Sequence, residues 1–296
     1  CLAADIASFY SMEGLIMLVT SKELFKKAQE KHFAIPAANF IDLESLKWHV
    51  EVAEKLGFPL ILALAESHLG EDINLEDAAL VGKKYAEAAS VPVVLHLDHG
   101  ATPELIKKAI DLGFSSVMID ASMESFDINV ARTKEIIDYA HPRGVVVEAE
   151  IGHVGAGENY ENHDETDSKY TTVEDAENFI KATNVDSLAI SIGTAHGMYK
   201  GIPEINFGRL KEIAAAVSTP LVLHGGSSSG DDNLNKCAVS GISKINIFSD
   251  FLAGAMENLN KQKPDNYLDV KRASKEGMQK TLEHYYGVFE TKTVEV

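Results

Sequence analysis

VPVVLHLDHGATPELIKKAIDLGFSSVMID, residues 91–120, carries the pattern from which the fold is read. Val91–Leu97 is apolar almost throughout, and Ser115–Ile119 is a second run of the same kind. A strand with one wet face alternates apolar and polar residues; an unbroken apolar run belongs to a parallel strand covered on both faces. Between the two runs the period becomes helical. Thr102 is placed to cap the first turn, Pro103 fits its first position, and Leu105, Ile106, Ala109 and Ile110 share one face. Gly113 stands where that helix must stop. The stretch reads as one strand–helix–strand unit.

The same unit recurs in both directions. Candidate strands are Phe33–Asn39, Pro59–Leu64, Val91–Leu97, Ser115–Ile119, Val145–Ala149, Ser187–Ser191, Pro220–Leu223 and Lys244–Ile247. Thr172 with Asp175 reads as a capping box ahead of the apolar face Val173, Ala176, Phe179 and Ile180. Phe207, Leu210, Ile213, Ala214 and Val217 trace another such face, and Gly144 and Gly241 stand at further helix ends. Repeated β–α units with no break in composition predict a single (β/α)8 TIM barrel over residues 17–296. A doubly wound open sheet is the competing fold, but its Gly-rich loop is missing: the first strand ends in Pro36-Ala37-Ala38-Asn39. Residues 1–16 lack the pattern, and with Asp5 and no Lys or Arg they do not form a secretory signal. They read as a leader or an expression-derived extension. GHVGAGENYENHDETDSKY, residues 152–170, is too long for a plain connection, and the interval of about 151–172 reads as a mobile loop over a site.

Charge excludes some partners. The chain has 27 Lys and Arg against 45 Asp and Glu, a formal charge of −18. Nucleic acid and anionic membranes are therefore not expected partners, because clustered cations supply that affinity. No apolar stretch reaches the roughly 18 residues a membrane span needs. Cys1 and Cys237 alone make no disulfide framework, so a reducing cytoplasm is the expected location.

The polar residues of interest fall where predicted strands end: Asn39, Asp98 and His99, Asp120, Glu150, His196, His224 and Asn246. Barrel enzymes build their sites on that face, so residues far apart in the chain are expected to converge. His99, His196 and His224 are each followed by Gly, and three neutral imidazoles with an open position make a catalytic Zn²⁺ site. His96 reads as a support behind that site. His32, His49, His68, His141, His163 and His284 read as surface or structural. Asp98 is a candidate general acid/base, a partner for a histidine or a fourth ligand. Glu158 is a candidate base on the long loop, which also carries Glu161, Asp164, Glu165 and Asp167. The glycines and serines of residues 225–230, with Gly197 and Lys200, suit a phosphate, which in barrels often binds beyond strands seven and eight.

HLDHG, VMIDAS, VEAEIG…GAGE, IGTAHGMYKG, LVLHGG and KINI, in that order, resemble the class II (zinc-dependent) fructose-/tagatose-bisphosphate aldolase family, from about Leu18 to at least Asp250. The resemblance implies that His99, His196 and His224 are the zinc ligands and Asp98 the proton shuttle at the C4 hydroxyl. It further implies that Glu158 exchanges a proton on dihydroxyacetone phosphate and that Asn246 contacts the enediolate. Gly197, Gly225, Ser227 and Ser249 fall on phosphate-holding positions, with Lys200 nearby and often a monovalent cation, Na⁺ or K⁺. Asn39 matches a substrate-proximal Asn, and Asp120 and Glu150 match carboxylates that hold the metal in an alternative position or support it. The implied activity is reversible cleavage of a ketose bisphosphate to dihydroxyacetone phosphate and an aldehyde such as glyceraldehyde 3-phosphate, in glycolysis or carbohydrate metabolism. The partner is then a small phosphosugar, and the assembly a homodimer or homotetramer.

The chain departs from the family pattern at Ala65, where relatives commonly carry Ser, at Phe248, where they carry a small or polar residue, and at His153. The C-terminal Asp-Pro-Arg is replaced by Asp265-Asn-Tyr-Leu-Asp-Val-Lys-Arg272. These departures fall on recognition of the distal half of the sugar. They keep open a catalytically silent phosphosugar-binding barrel. A metal-dependent hydrolase is a further alternative, although the first strand lacks the early His-x-His pair of such enzymes.

Overall fold

Eight parallel strands close on themselves in chain order, β1 pairing with both β2 and β8. The computed structural model describes residues 16–70, 73–152, 154, 170–196 and 201–295. The strands are β1 Ile35–Asn39, β2 Leu60–Ala65, β3 Val93–Gly100, β4 Ser116–Ile119, β5 Val146–Ile151, β6 Ser187–Ile190, β7 Leu221–Leu223 and β8 Ile242–Ile247. The predicted (β/α)8 barrel is therefore the observed fold, and each predicted strand has its counterpart. The leader residues 1–15, His153, Glu158 with most of the 151–172 loop, Gly197 and Lys200 lie outside the described residues.

The helices form where their capping residues predict. Thr102 accepts from Leu105 N at the start of Pro103–Leu112, and Gly113, at φ +101°, ends it. Thr172 and Asp175 exchange side-chain and backbone bonds as a capping box ahead of Val173–Thr183. Gly144 closes a short 3₁₀ turn, His141–Arg143, that follows the helix Phe126–Ala140 rather than closing the helix itself. Among the described residues no helix is long and apolar enough to cross a membrane.

Strand alternation divides the core. Val93, Leu95 and Leu97 face the helices within the main apolar cluster, whereas Val94 packs inside the barrel. The first helix, α1 (Ser21–Lys31), seals the N-terminal end, where Leu24, Phe25 and Ala28 pack with Ile35, Ala37, Ile61 and Ala63. Above this plug the interior turns polar. His96 and Asp98 follow Val94 on the same side of β3, and Glu148, Lys244 and Asn246 are likewise buried. This polarity explains where strand limits differ from those read in the sequence. β3 continues to Gly100 and β5 to Ile151, because Asp98 and Glu150 find partners inside the barrel and the ladder need not stop, and β8 begins two residues early at Ile242.

Candidate active site

The C-terminal mouth of the barrel holds a cavity of about 370 Å³ lined by Asn39, Asp98, His99, His196, Ser227 and Asn246, among others. Asn39 ends β1, Asp98 and His99 lie on the last turns of β3, His224 directly follows β7, and Asn246 lies near the end of β8. His196 stands beyond β6 and is brought in by a close backbone approach. Gly225 has φ +67°, and a Cβ there would collide with the carbonyl oxygen of Ala195. Only glycine permits that contact, and it seats the residue before His196 against the residue after His224.

The three imidazoles face one another. His99 Nε2 lies 3.1 Å from His196 Nε2, and the ring centroids of His99 and His224 are 4.4 Å apart. One ligand nitrogen from each ring falls within 4.8 Å of the others. The remaining ring nitrogens are occupied. His99 Nδ1 is 2.8 Å from Asp120 Oδ2, His196 Nδ1 donates to Val154 O at 3.0 Å, and His224 Nε2 is 2.9 Å from Glu148 Oε1. Asp120 also accepts from the Ser122 amide and hydroxyl, leaving it fixed as an acceptor. His224 Nδ1 is buried without a hydrogen-bond partner. His99 Nε2 and His196 Nε2 thus meet each other beside an unpartnered His224 Nδ1, a donor set that fits a divalent metal of the zinc type.

Electrostatics favours a cation at the same place. Burial opposes a charge on His99, but Asp98, Asp120 and Glu150 outweigh it and lift its pKa to about 9. Burial, helped by the charge on His99, lowers His196 to about 4 and also lowers His224. Burial works against ionisation of Asp98 as well, yet the neighbouring charges, His99 first and then Lys244, hold its carboxyl well below the usual range. Asp98 is therefore an ionised carboxylate, with Oδ2 accepting from Asn39 Nδ2 and Oδ1 from Asn246 Nδ2, each at 2.9 Å. Glu150 differs. Burial and then the charge on Asp120 push it up to about 8, so it holds its proton more tightly than an ordinary carboxyl. Its Oε1 accepts from Val154 N at 3.0 Å, and His99, Asp120 and Glu150 form a second group whose ligand atoms lie within 4.8 Å.

The loop after β7 forms another part of the cavity wall. Gly225 and Ser228 both adopt positive φ, +67° and +60°. Ser228 donates from its amide and hydroxyl to Asp250, at 2.8 and 2.9 Å, which holds the turn open toward Ser227. Ser249 begins the 14-residue helix Ser249–Gln262, and Ser227 Oγ accepts from the Phe248 amide at 3.0 Å and the Asp250 amide at 3.5 Å at that helix start. Gly225, Ser227 and Ser249 all line the cavity.

Some participants escape the sequence reading. His68, read there as surface or structural, lines the cavity and stacks on Phe248 with ring centroids 4.0 Å apart. The 3₁₀ turn Glu66–His68 folds it back over the mouth, and nothing in the local pattern announces that turn. Glu148 and Lys244 were assigned no part in the site. They sit at 1% exposure beneath it, with Lys244 Nζ 2.8 Å from both carboxylate oxygens. Their signal is a charge inside an apolar strand, two residues from a site residue and so on the same face: Glu148 before Glu150, and Lys244 before Asn246.

Comparison with known proteins agrees with this arrangement. Residues 19–293 match the family described as Fructose-bisphosphate aldolase class-II. A Bacillus licheniformis protein named 6-phospho-5-dehydro-2-deoxy-D-gluconate aldolase is 39% identical over 257 residues, covering 84% of this chain and 86% of that protein. A Bacillus subtilis protein of the same name is 40% identical over 233 residues, 77% of this chain and 79% of its own. The crystal structure of the YdjI aldolase from Escherichia coli K12 superposes with a TM-score of 0.83 at 33% identity, covering 92% of this chain and 97% of that one. The chain belongs to the class-II fructose-bisphosphate aldolase family.

Proposed function

We propose that the protein is a zinc-dependent aldolase that reversibly cleaves a phosphorylated ketose to dihydroxyacetone phosphate and an aldehyde. The observation that carries this reading is the convergence, in one cavity, of ligand nitrogens from three imidazoles and an ionised Asp98, with Gly225, Ser227 and Ser249 on the same wall. His99 Nε2, His196 Nε2 and His224 Nδ1 are the atoms that would hold the zinc. When bound, zinc supplies Lewis acidity toward the ketone.

The chain's own residues manage protons and position. Asp98 takes the proton from the hydroxyl on the carbon that leaves as the aldehyde, and the carbon–carbon bond breaks as that carbonyl forms. The electron pair remains on the three-carbon half as its enediolate. Asn39 and Asn246 hold Asp98 by one oxygen each, which fixes its direction through the proton transfer. Ser227, Ser249 and Gly225, joined by Gly197 and Lys200, receive the phosphate of the three-carbon half. Glu158 is assigned the proton on the carbon of that half. We place the protein in the cytoplasm as a homo-oligomer.

Two substrate types compete. Fructose and tagatose bisphosphates follow from the motifs. A singly phosphorylated keto acid, as in the names of the Bacillus relatives, is favoured by Ala65 and by the His68–Phe248 stack. Among the described residues lining the cavity there is no Lys or Arg to meet a second phosphate. The test is a coupled assay of dihydroxyacetone phosphate release, comparing kcat/KM for both bisphosphates and for 6-phospho-5-dehydro-2-deoxy-D-gluconate. Turnover of any of them supports the aldolase reading, and the largest kcat/KM assigns the substrate type. Zinc-loaded protein that releases no dihydroxyacetone phosphate from any of the three overturns the reading.

A further inference from the structure

We propose that Lys244 is a positioning residue for the metal site: through Glu148 it fixes His224 in the tautomer that bears its proton on Nε2 and presents a bare Nδ1 to the other imidazoles. The proposal rests on the reading of His99, His196 and His224 as metal ligands.

The proton inventory leads to it. Lys244 has donors and no acceptor. Its Nζ reaches Glu148 Oε1 and Oε2 at 2.8 Å and His96 Nε2 at 3.2 Å, which uses all three N–H bonds. His96 Nε2 must then accept, so its proton sits on Nδ1 and is given to Ser116 Oγ at 2.8 Å. Glu148, ion-paired with Lys244, only accepts. Its Oε1 lies 2.9 Å from His224 Nε2, so that nitrogen carries the proton. In a neutral ring Nδ1 is then bare, and it is the buried atom that lacks a partner. The chain of contacts thus fixes His224 in both orientation and tautomer.

The arrangement is rigid and dry. Lys244, Glu148 and His96 are each about 1% exposed and His224 is fully buried, so no water competes for these bonds. Lys244 and Glu148 come from β8 and β5, which are not neighbours in the sheet, and they meet across the barrel interior. A buried ion pair adds little net stability over well-packed apolar residues, so fold stability alone does not account for placing one here. Orientation of a metal ligand does account for it, and loss of such support typically weakens metal binding roughly ten- to a hundredfold.

The experiment measures Zn²⁺ affinity by chelator competition, with stability followed by urea unfolding of the metal-free proteins. Wild-type protein that binds no Zn²⁺ overturns the ligand reading itself. Provided wild type binds, Lys244→Met and the double variant Lys244→Met/Glu148→Leu are compared with it. The double variant removes both charges, so no unpaired charge remains to unfold it. Expected is a roughly ten- to hundredfold loss of Zn²⁺ affinity in each folded variant, with the double variant at least as stable as the single one. Affinity within twofold of wild type in either folded variant overturns the proposal. Selective ¹⁵N-histidine NMR on metal-free wild type reads the tautomer directly and depends on no variant. A His224 proton on Nε2 is expected, and one on Nδ1 overturns the proposal.

Discussion

Replacing Asp98 by Asn removes the base while changing almost nothing in size. Asp98 is 3% exposed, and each of its oxygens accepts from an amide donor at 2.9 Å, Asn39 on one side and Asn246 on the other. An Asn side chain at 98 has one oxygen and one NH₂, so one of the two flanking amides then faces a donor. An unsatisfied buried donor costs about 1–3 kcal/mol, so the variant is destabilised by that amount but folds. Loss of general-base catalysis lowers kcat about 10²–10⁴-fold, equivalent to about 2.7–5.5 kcal/mol of transition-state stabilisation. Zinc is retained, because the three ligand nitrogens belong to other residues. KM changes by less than about threefold if the base acts only as charge develops. The assay is steady-state release of dihydroxyacetone phosphate by Asp98→Asn, alongside zinc content and urea unfolding. A variant with full zinc and kcat within threefold of wild type refutes the role given to Asp98.

Other outcomes follow from the same geometry. Gly225→Ala puts a methyl group into the Ala195 carbonyl at a φ of +67°, so it is expected to destabilise the fold by at least about 2 kcal/mol and to raise KM for the phosphorylated substrate; a variant with wild-type unfolding midpoint and KM contradicts the close-approach argument. His49 is fully buried, donates to Asn39 O at 3.3 Å, and burial lowers its pKa to about 4 from 6.5. The unfolded chain binds the proton first, so His49's contribution is intact above pH 6.5 and is lost as pH falls toward 4. Between pH 7.5 and 5 this amounts to about 2 kcal/mol, which urea unfolding of wild type and His49→Phe resolves as a shallower pH dependence in the variant. Equal pH dependence in both proteins counts against a neutral buried His49.

How much was legible in the sequence depends on where each residue finds its partner. Thr102, Pro103 and Gly113 mark one helix within a dozen residues, and an apolar run on each side completes the unit, so local pattern is enough for the barrel. Asn39, His99 and His224 interrupt or end apolar runs, and the barrel's geometry sends all such ends to one face. Glu148 and Lys244 belong to strands that do not pair and meet only across the barrel interior. Each looks, in its own strand, like a misplaced charge. His68 is hidden for a different reason: a single 3₁₀ turn places it at the cavity, and the ring it stacks on there, Phe248, is 180 residues away. The strands run on to Gly100 and Ile151, past the apolar runs that mark them in sequence, because the barrel interior is polar at that level.

The central claim is that three imidazoles hold a metal on which cleavage of a phosphorylated ketose depends. Its most direct test measures dihydroxyacetone phosphate release by one preparation in three states: as purified, after exhaustive chelation, and after return of one equivalent of Zn²⁺. The account predicts release as purified, loss of at least about 99% of it on chelation, and its recovery with zinc, with no recovery in His224→Ala. Chelated protein, shown to be free of metal, that still cleaves the substrate at the original rate would contradict it.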